Sequence, residues 1–197
     1  MPRKLRSIIM RKKLSNFLLI VFFVAIVVGI LNVENICKKY IYPIEYGSYV
    51  EKAAYETSID KYLIYAIIKT ESNFNPSATS DVGARGLMQL MEDAFEWVKF
   101  RMNDERDISY DDMYTPEYNV EYGSYLIMLL YEEYGDVETT VAAYHSGRGS
   151  VNDWLKSTEY SSDGKTLDKI PSDTTAHYVN KVMKAYDAYI NLYEQDK

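Results

Sequence analysis

Cysteine occurs once, as Cys37, so no intrachain disulfide can hold this 197-residue chain together and its stability must come from a packed core. Histidine occurs twice, at His145 and His177, far apart in sequence and in no HExxH-type helix. With so few nitrogen and sulfur ligands, no metal-site spacing is present and no metal is expected. A serine nucleophile has no G-x-S-x-G sequence around it, and no glycine-rich phosphate cradle appears, so no cofactor is expected either. Strand-like alternation is essentially missing. Acidic side chains are absent until Glu34. Beyond residue 33 the balance reverses: 16 of the 22 basic residues and all 29 acids lie there, a net of −13. A body of that sign excludes nucleic acid as a partner, because neutralising phosphate needs positive charge.

Charge is also missing from Leu14 to Val33, and Phe17 to Leu31 has no polar side chain. About 20 apolar residues cross a bilayer as a helix. Six basic residues (Arg3, Lys4, Arg6, Arg11, Lys12 and Lys13) precede the run, so the positive-inside rule assigns residues 1–13 to the cytoplasm and the remainder to the far side. Gly29-Ile30-Leu31-Asn32-Val33 offers no small-x-small cleavage site, which favours a retained anchor over a removed signal peptide. The expected organisation is a cytoplasmic segment 1–13, a transmembrane anchor 14–33, a stalk 34–45 and an extracytoplasmic domain 46–195.

That outer domain is long enough to bury about 70% of its unfolded surface in one core. Its apolar residues recur at helical spacing, so the fold class is all-α. Helices are expected over 46–55, from a cap at Ser58 or Asp60 to Glu71, over 87–101, over 115–134, from Asp136 through Tyr144, over 150–155 and over 174–194. Gly135 stops the fourth of these. The last carries Tyr178, Val182, Tyr186, Ile190 and Tyr193 on one side. Tyrosine occurs 20 times. Its rings pack against sugars and its hydroxyls bond them, but helical spacing accounts for most of these residues as core.

One carboxylate stands out. Ile64, Ile67 and Ile68 share a helix face with Glu71, and Pro76 ends the helix shortly after it. Burial beside isoleucines and the unpaired carbonyls of a helix C-terminus both oppose ionisation, so Glu71 should hold its proton more tightly than a solvated glutamate. That suits a general acid. A surface glutamate at a fraying helix end is the plainer alternative.

The residues around Glu71 resemble a known family. Glu71-Ser72-x-Phe74-Asn75-Pro76-x-Ala78-x-Ser80-x-x-Gly83-Ala84-x-Gly86-Leu87-Met88-Gln89-Leu90-Met91 is similar to the catalytic segment of the soluble-type lytic transglycosylases, peptidoglycan-cleaving enzymes with a goose-type-lysozyme-like helical fold. Asn119-x-x-x-Gly123-x-Tyr125-Leu126 resembles their central helix. Ala142-Ala143-Tyr144-His145-Ser146-Gly147-x-Gly149 resembles an Ala-Ala-Tyr-Asn-Ala-Gly-x-Gly block, and Pro171-x-x-x-Thr175-x-x-Tyr178-Val179 a closing motif. Four blocks in order cover about residues 55–185.

The resemblance implies that Glu71 is the single catalytic acid and base. It implies that Ser80, Gln89, Met91 and Tyr144 contact the peptidoglycan glycan strand, with His145 substituting as a polar contact where the family has asparagine. Each has a structural role open to it: Ser80 as a turn residue, Met91 as core filler, Tyr144 as a core aromatic. Glu92 stands where a proline is usual, and Thr174 where the closing motif has a second glutamate. Asp81, next to Ser80, is kept as a candidate second carboxylate. Three functions remain open on the sequence: a lytic transglycosylase forming 1,6-anhydro-muramic ends, a hydrolytic muramidase on the same fold, and a non-catalytic wall-binding or scaffold protein.

Overall fold

The computed structural model describes residues 3–194, which form two compact units divided between Pro43 and Ile44. The first is one long helix, α1 (Arg3–Ile36), continued by a π-helical turn over Cys37–Ile41. Its window Lys13–Ile30 has a mean hydropathy of 2.4 and none of it is buried against protein. Eighteen residues rise about 27 Å, close to the hydrocarbon thickness of a bilayer. The residues expected as a stalk are therefore helical as far as Ile41.

Among the described residues the second unit contains seven α-helices: α2 (Gly47–Thr57), α3 (Lys61–Glu71), α4 (Glu92–Met102), α5 (Pro116–Tyr134), α6 (Val137–Ser146), α7 (Arg148–Trp154) and α8 (Asp173–Tyr193). A short 3-10 turn, Tyr110–Tyr114, precedes α5. Among the described residues there is no strand beyond isolated bridges joining Arg85 to Thr79 and to Leu90. Local chemistry sets the boundaries. Asp60 caps α3 by accepting from the Tyr62 N–H, and Asp136 caps α6 through the Thr139 N–H, each at 2.8 Å. Pro116 opens α5, and Gly135, at φ 66°, closes it.

Helix α3 lies at the centre. All seven residues from Tyr62 to Ile68 are buried, so the isoleucine face expected from the sequence extends right round the helix. It packs against α8 and α2, while α5 meets α2 and α6, and α6 meets α8. On α8 the buried set is Thr175, Tyr178, Val179, Val182, Ala185 and Tyr189. This differs from the expected stripe, in which Tyr186 and Ile190 share the core face. Uniform four-residue steps drift by about 40° each around a helix, whereas the observed set mixes threes and fours and stays in register. Tyr186 is instead half-buried and donates to Asp60 Oδ2 at 2.8 Å.

A second difference bears on the site. The helix expected from Leu87 begins only at Glu92. Leu87 to Met91 form a turn because other groups claim their backbone: Arg85 and Leu90 exchange N–H to carbonyl bonds at 2.9 and 3.1 Å, and Gln89 takes a left-handed φ of 49°. The chain enters α4 extended at Met91.

Candidate active site

Glu71 is the last residue of α3, and the turn behind it is tightly specified. Ser72 donates from Oγ to the Leu87 carbonyl at 2.7 Å. Asn73 and Phe74 then adopt positive φ values of 50° and 65°. Left-handed backbone at two consecutive non-glycine residues is unfavourable unless the surroundings enforce it. Burial of the Phe74 ring beside Tyr65 does so here.

The loop from 73 to 91 hangs on Asn119, a fully buried side chain in the first turn of α5. Its Oδ1 accepts from the Met88 N–H at 2.7 Å, and its Nδ2 donates to the carbonyls of Arg85 (2.9 Å) and Met113 (2.8 Å). Gly86 is required beside it. A Cβ there would lie 2.1 Å from the Met113 carbonyl oxygen and 2.4 Å from Asn119 Nδ2, at a φ of +76°. Gly123, one turn along α5, leaves the notch that receives the Met88 sulfur; a Cβ would come within 2.4 Å of it. Tyr144 of α6 completes the hold by donating to the Met88 carbonyl at 2.7 Å.

Above this framework Glu71 is half-buried, and Tyr178 of α8 donates from its phenol to Oε1 at 2.6 Å. Burial raises the Glu71 carboxyl strongly. The Tyr178 hydrogen bond and the positive charge of Lys181 lower it by less, leaving it at about 7 against an ordinary 4.5. Burial, reinforced by the charge of Glu71, keeps the phenols of Tyr144 and Tyr178 firmly protonated, so each has a proton to donate, to the Met88 carbonyl and to Glu71 respectively. The imidazole of His145 lies flat on the Tyr178 ring, with centroids 4.2 Å apart and planes inclined by 15°.

Two cavities meet at His145. One, of about 470 Å³, is lined by Glu71, His145 and the α8 residues Asp173, Thr174, His177, Tyr178 and Lys181. The other, of about 430 Å³, is bounded by Met91, Trp97, Leu126, Tyr144, His145 and Arg148, among others. Of the residues singled out in the sequence, Glu71 and His145 share the first cavity, and Met91, Tyr144 and His145 share the second. Met91 is 39% exposed there, which removes its role as core filler. Ser80 and Gln89 line neither cavity. Ser80 Oγ accepts from the Ala84 N–H at 2.9 Å, and Gln89 Nε2 donates to the carbonyls of Ala78 and Gly86 at 3.1 and 2.9 Å. Both side chains brace the loop. Asp81 is exposed and is not part of the Glu71 cavity. Among the described residues, no group of three or more His, Cys, Asp or Glu side chains is arranged to hold a metal ion.

Sequence reasoning missed four cavity residues, Asp173, His177, Tyr178 and Lys181. Their spacing was the available signal: Asp173, His177 and Lys181 recur every four residues and so edge one face of α8. Helical spacing places Tyr178 on the core stripe, and it is buried, with its hydroxyl turned to the glutamate.

An all-helical domain with one half-buried carboxyl at a groove is the architecture that comparison with known proteins identifies. Residues 48–167 match the transglycosylase SLT domain, and the chain belongs to that family, with its lysozyme-like fold. Tyr178 lies beyond the matched residues. The chain is 30% identical over 158 residues to the soluble lytic murein transglycosylase of Escherichia coli K12, covering 79% of this chain and 24% of that protein. It is 31% identical over 174 residues to the membrane-bound lytic murein transglycosylase C of Haemophilus ducreyi, covering 75% and 46%. Among solved structures it superimposes on an inactive glutamate-to-glutamine variant of the lytic transglycosylase Slt from Pseudomonas aeruginosa. The TM-score is 0.68 and the identity 27%, over 76% of this chain and 24% of that one. The chain thus spans from 24% to 46% of the length of these relatives.

Proposed function

We propose that this protein is a membrane-anchored lytic transglycosylase that cleaves the N-acetylmuramic acid-β-1,4-N-acetylglucosamine bond of peptidoglycan, with Glu71 as its only acid and base. The observation that carries this reading is the carboxyl itself. It lines the cavity, takes a 2.6 Å hydrogen bond from Tyr178, and is raised by burial to about 7, the range that suits a group giving a proton and then taking one back. Glu71 donates its proton to the bridging oxygen as the glycosidic bond breaks. The muramic residue's own 2-acetamido oxygen stabilises C1. The Glu71 carboxylate then removes the proton from the same residue's C6 hydroxyl, whose oxygen bonds to C1 and closes a 1,6-anhydro ring. No water is consumed.

Met91 and Tyr144 supply the groove surface for the glycan, His145 stands where their cavity meets that of Glu71, Ser80 and Gln89 shape the loop beneath, and Tyr178 holds the carboxylate between its two proton transfers. Helix α1 keeps the enzyme at the membrane, with residues 1–13 cytoplasmic and the catalytic domain on the wall side, in a role of wall remodelling or local opening. The name of the Haemophilus relative, membrane-bound, supports that placement. Asp173, on the wall of the same cavity, gives a hydrolytic muramidase its structural foothold, since a second carboxylate can activate water. Incubating purified sacculi with the full chain tests the enzyme reading: soluble muropeptides should appear with wild type and not with Glu71→Gln. Equal release by both, or by neither, would sink it.

A further inference from the structure

We propose that His145 is a positioning residue whose imidazole, lying flat on the Tyr178 ring, holds the phenol in the orientation that donates to Glu71. The inference rests on Glu71 being the acid of the proposed reaction. Three observations meet at this residue. His145 is the penultimate residue of α6, Tyr178 belongs to α8 and Glu71 to α3, so three separate elements are linked in series: the imidazole lies on the Tyr178 ring and the Tyr178 phenol donates to Glu71. The rings are nearly parallel at 4.2 Å, the separation of a stacked pair, and such contacts add specific orientation to simple burial. His145 is also the one residue common to both cavities, so the face of Tyr178 it covers would otherwise border the open groove.

The chemistry favours this role over a charged one. His145 is exposed on its groove side, and the desolvation of its ring where it meets the protein lowers its pKa from the ordinary value, which favours the neutral ring as a flat surface for Tyr178. Charged or titratable groups surround the stack: Glu71, Asp173, His177 and Lys181 in one cavity, Asp93 and Arg148 in the other. None of them has a planar apolar face to replace the imidazole over the phenol except His177, which directly precedes Tyr178 on α8 and so points away from the face of its ring. Asparagine, the residue the sequence comparison with the family leads one to expect at position 145, has no ring. Tyr178 has one rotatable bond, χ2, that turns its ring without moving its hydroxyl far, and χ1, which moves it greatly. Packing against its face restrains both. The 2.6 Å bond to Glu71 stabilises the carboxylate form, so loosening Tyr178 must move Glu71 towards its protonated form.

The test is direct titration of Glu71 by carbon-13 NMR of the side-chain carboxyl, in the full chain in detergent, with Tyr178→Phe as the reference for complete loss of the bond. His145→Ala should raise the Glu71 midpoint by about half a pH unit or more, in the direction of Tyr178→Phe. His145→Phe should restore the wild-type midpoint, because it restores the stack without the ring nitrogens. In sacculus digestion, His145→Ala should lower kcat about tenfold with KM little changed, and His145→Phe should recover most of the loss. An unchanged midpoint in His145→Ala, or a His145→Phe that behaves like alanine, would overturn the positioning role and leave a polar contact with substrate. The titration needs no turnover, so it separates this inference from the proposed activity: a chain that releases no muropeptide can still show, or fail to show, the coupled midpoints.

Discussion

Tyr178 and Glu71, 107 residues apart in sequence, are joined by a 2.6 Å hydrogen bond from phenol to carboxyl. Two influences of opposite sign meet at that oxygen. Burial pushes the carboxyl up, and the phenol pulls it part of the way back to about 7. Tyr178→Phe removes the larger restraint and leaves burial opposed only by the positive charge of Lys181. Activity, which needs the protonated acid, should fall as pH rises through about 7 in wild type, and the falling limb should lie at higher pH in Tyr178→Phe. Its peak rate should also drop about tenfold or more, since the carboxylate loses its support after the first proton transfer. A pH–rate series on both proteins checks this, and coincident limbs would refute it.

The same raised carboxyl makes a prediction about stability. A glutamate whose folded value lies above its unfolded one favours folding in its protonated form, so folding free energy is lost as pH climbs from about 4.5 to about 7. At neutral pH the loss is about 3 kcal/mol at most, because the side chain is only half-buried and water relieves part of it. Glu71→Gln keeps the acceptor for Tyr178 and removes the ionisation. It should therefore raise the unfolding midpoint at pH 8 and leave it unchanged at pH 4. Equal gains at both pH values would place the cause elsewhere.

Asn119 predicts the largest structural loss. Asn119→Ala leaves the Met88 N–H and the Arg85 and Met113 carbonyls without their buried partner. The cost should be about 3 kcal/mol or more. Gly86→Ala should be of similar severity, because its Cβ has no room and its φ is left-handed. Ser80→Ala, which removes one bond to the Ala84 N–H at a half-buried site, should cost about 1 kcal/mol. Urea unfolding ranks the three, and an Asn119→Ala as stable as Ser80→Ala would contradict the role given to Asn119.

These losses show what the sequence carried and what it did not. Glu71 was legible because isoleucines at helical spacing led up to it and Pro76 followed. Caps at Asp60 and Asp136 and stops at Gly135 were legible for local reasons, since one residue decides each. The start of α4 was not, because Leu87 to Met91 look helical by composition and are held out of a helix by Asn119, about 30 residues away. The α8 cavity edge was hidden differently. Tyr178 serves the core with its ring and the site with its hydroxyl, and periodicity reports only the ring. Ser80 and Gln89 lay in the right segment, but their polar atoms face inward, a direction spacing does not encode.

Charge supplies a further expectation. The chain beyond residue 33 carries a net of −13, so it gains nothing from long-range attraction to an anionic cell wall. Binding to purified wall should depend on short-range groove contacts. Cosedimentation with sacculi should therefore change little, or rise, between about 50 and 300 mM salt. A steep fall with salt would mean that attraction between opposite charges carries the binding.

The mass of the released glycan ends addresses the central claim most directly. Sacculi digested with the full wild-type chain should yield muramic ends one water lighter than reducing ends, the mark of a 1,6-anhydro ring, and Glu71→Gln should yield none. Reducing ends of full mass, dependent on Glu71, would show that water rather than the C6 hydroxyl is the acceptor and would contradict a glutamate acting alone.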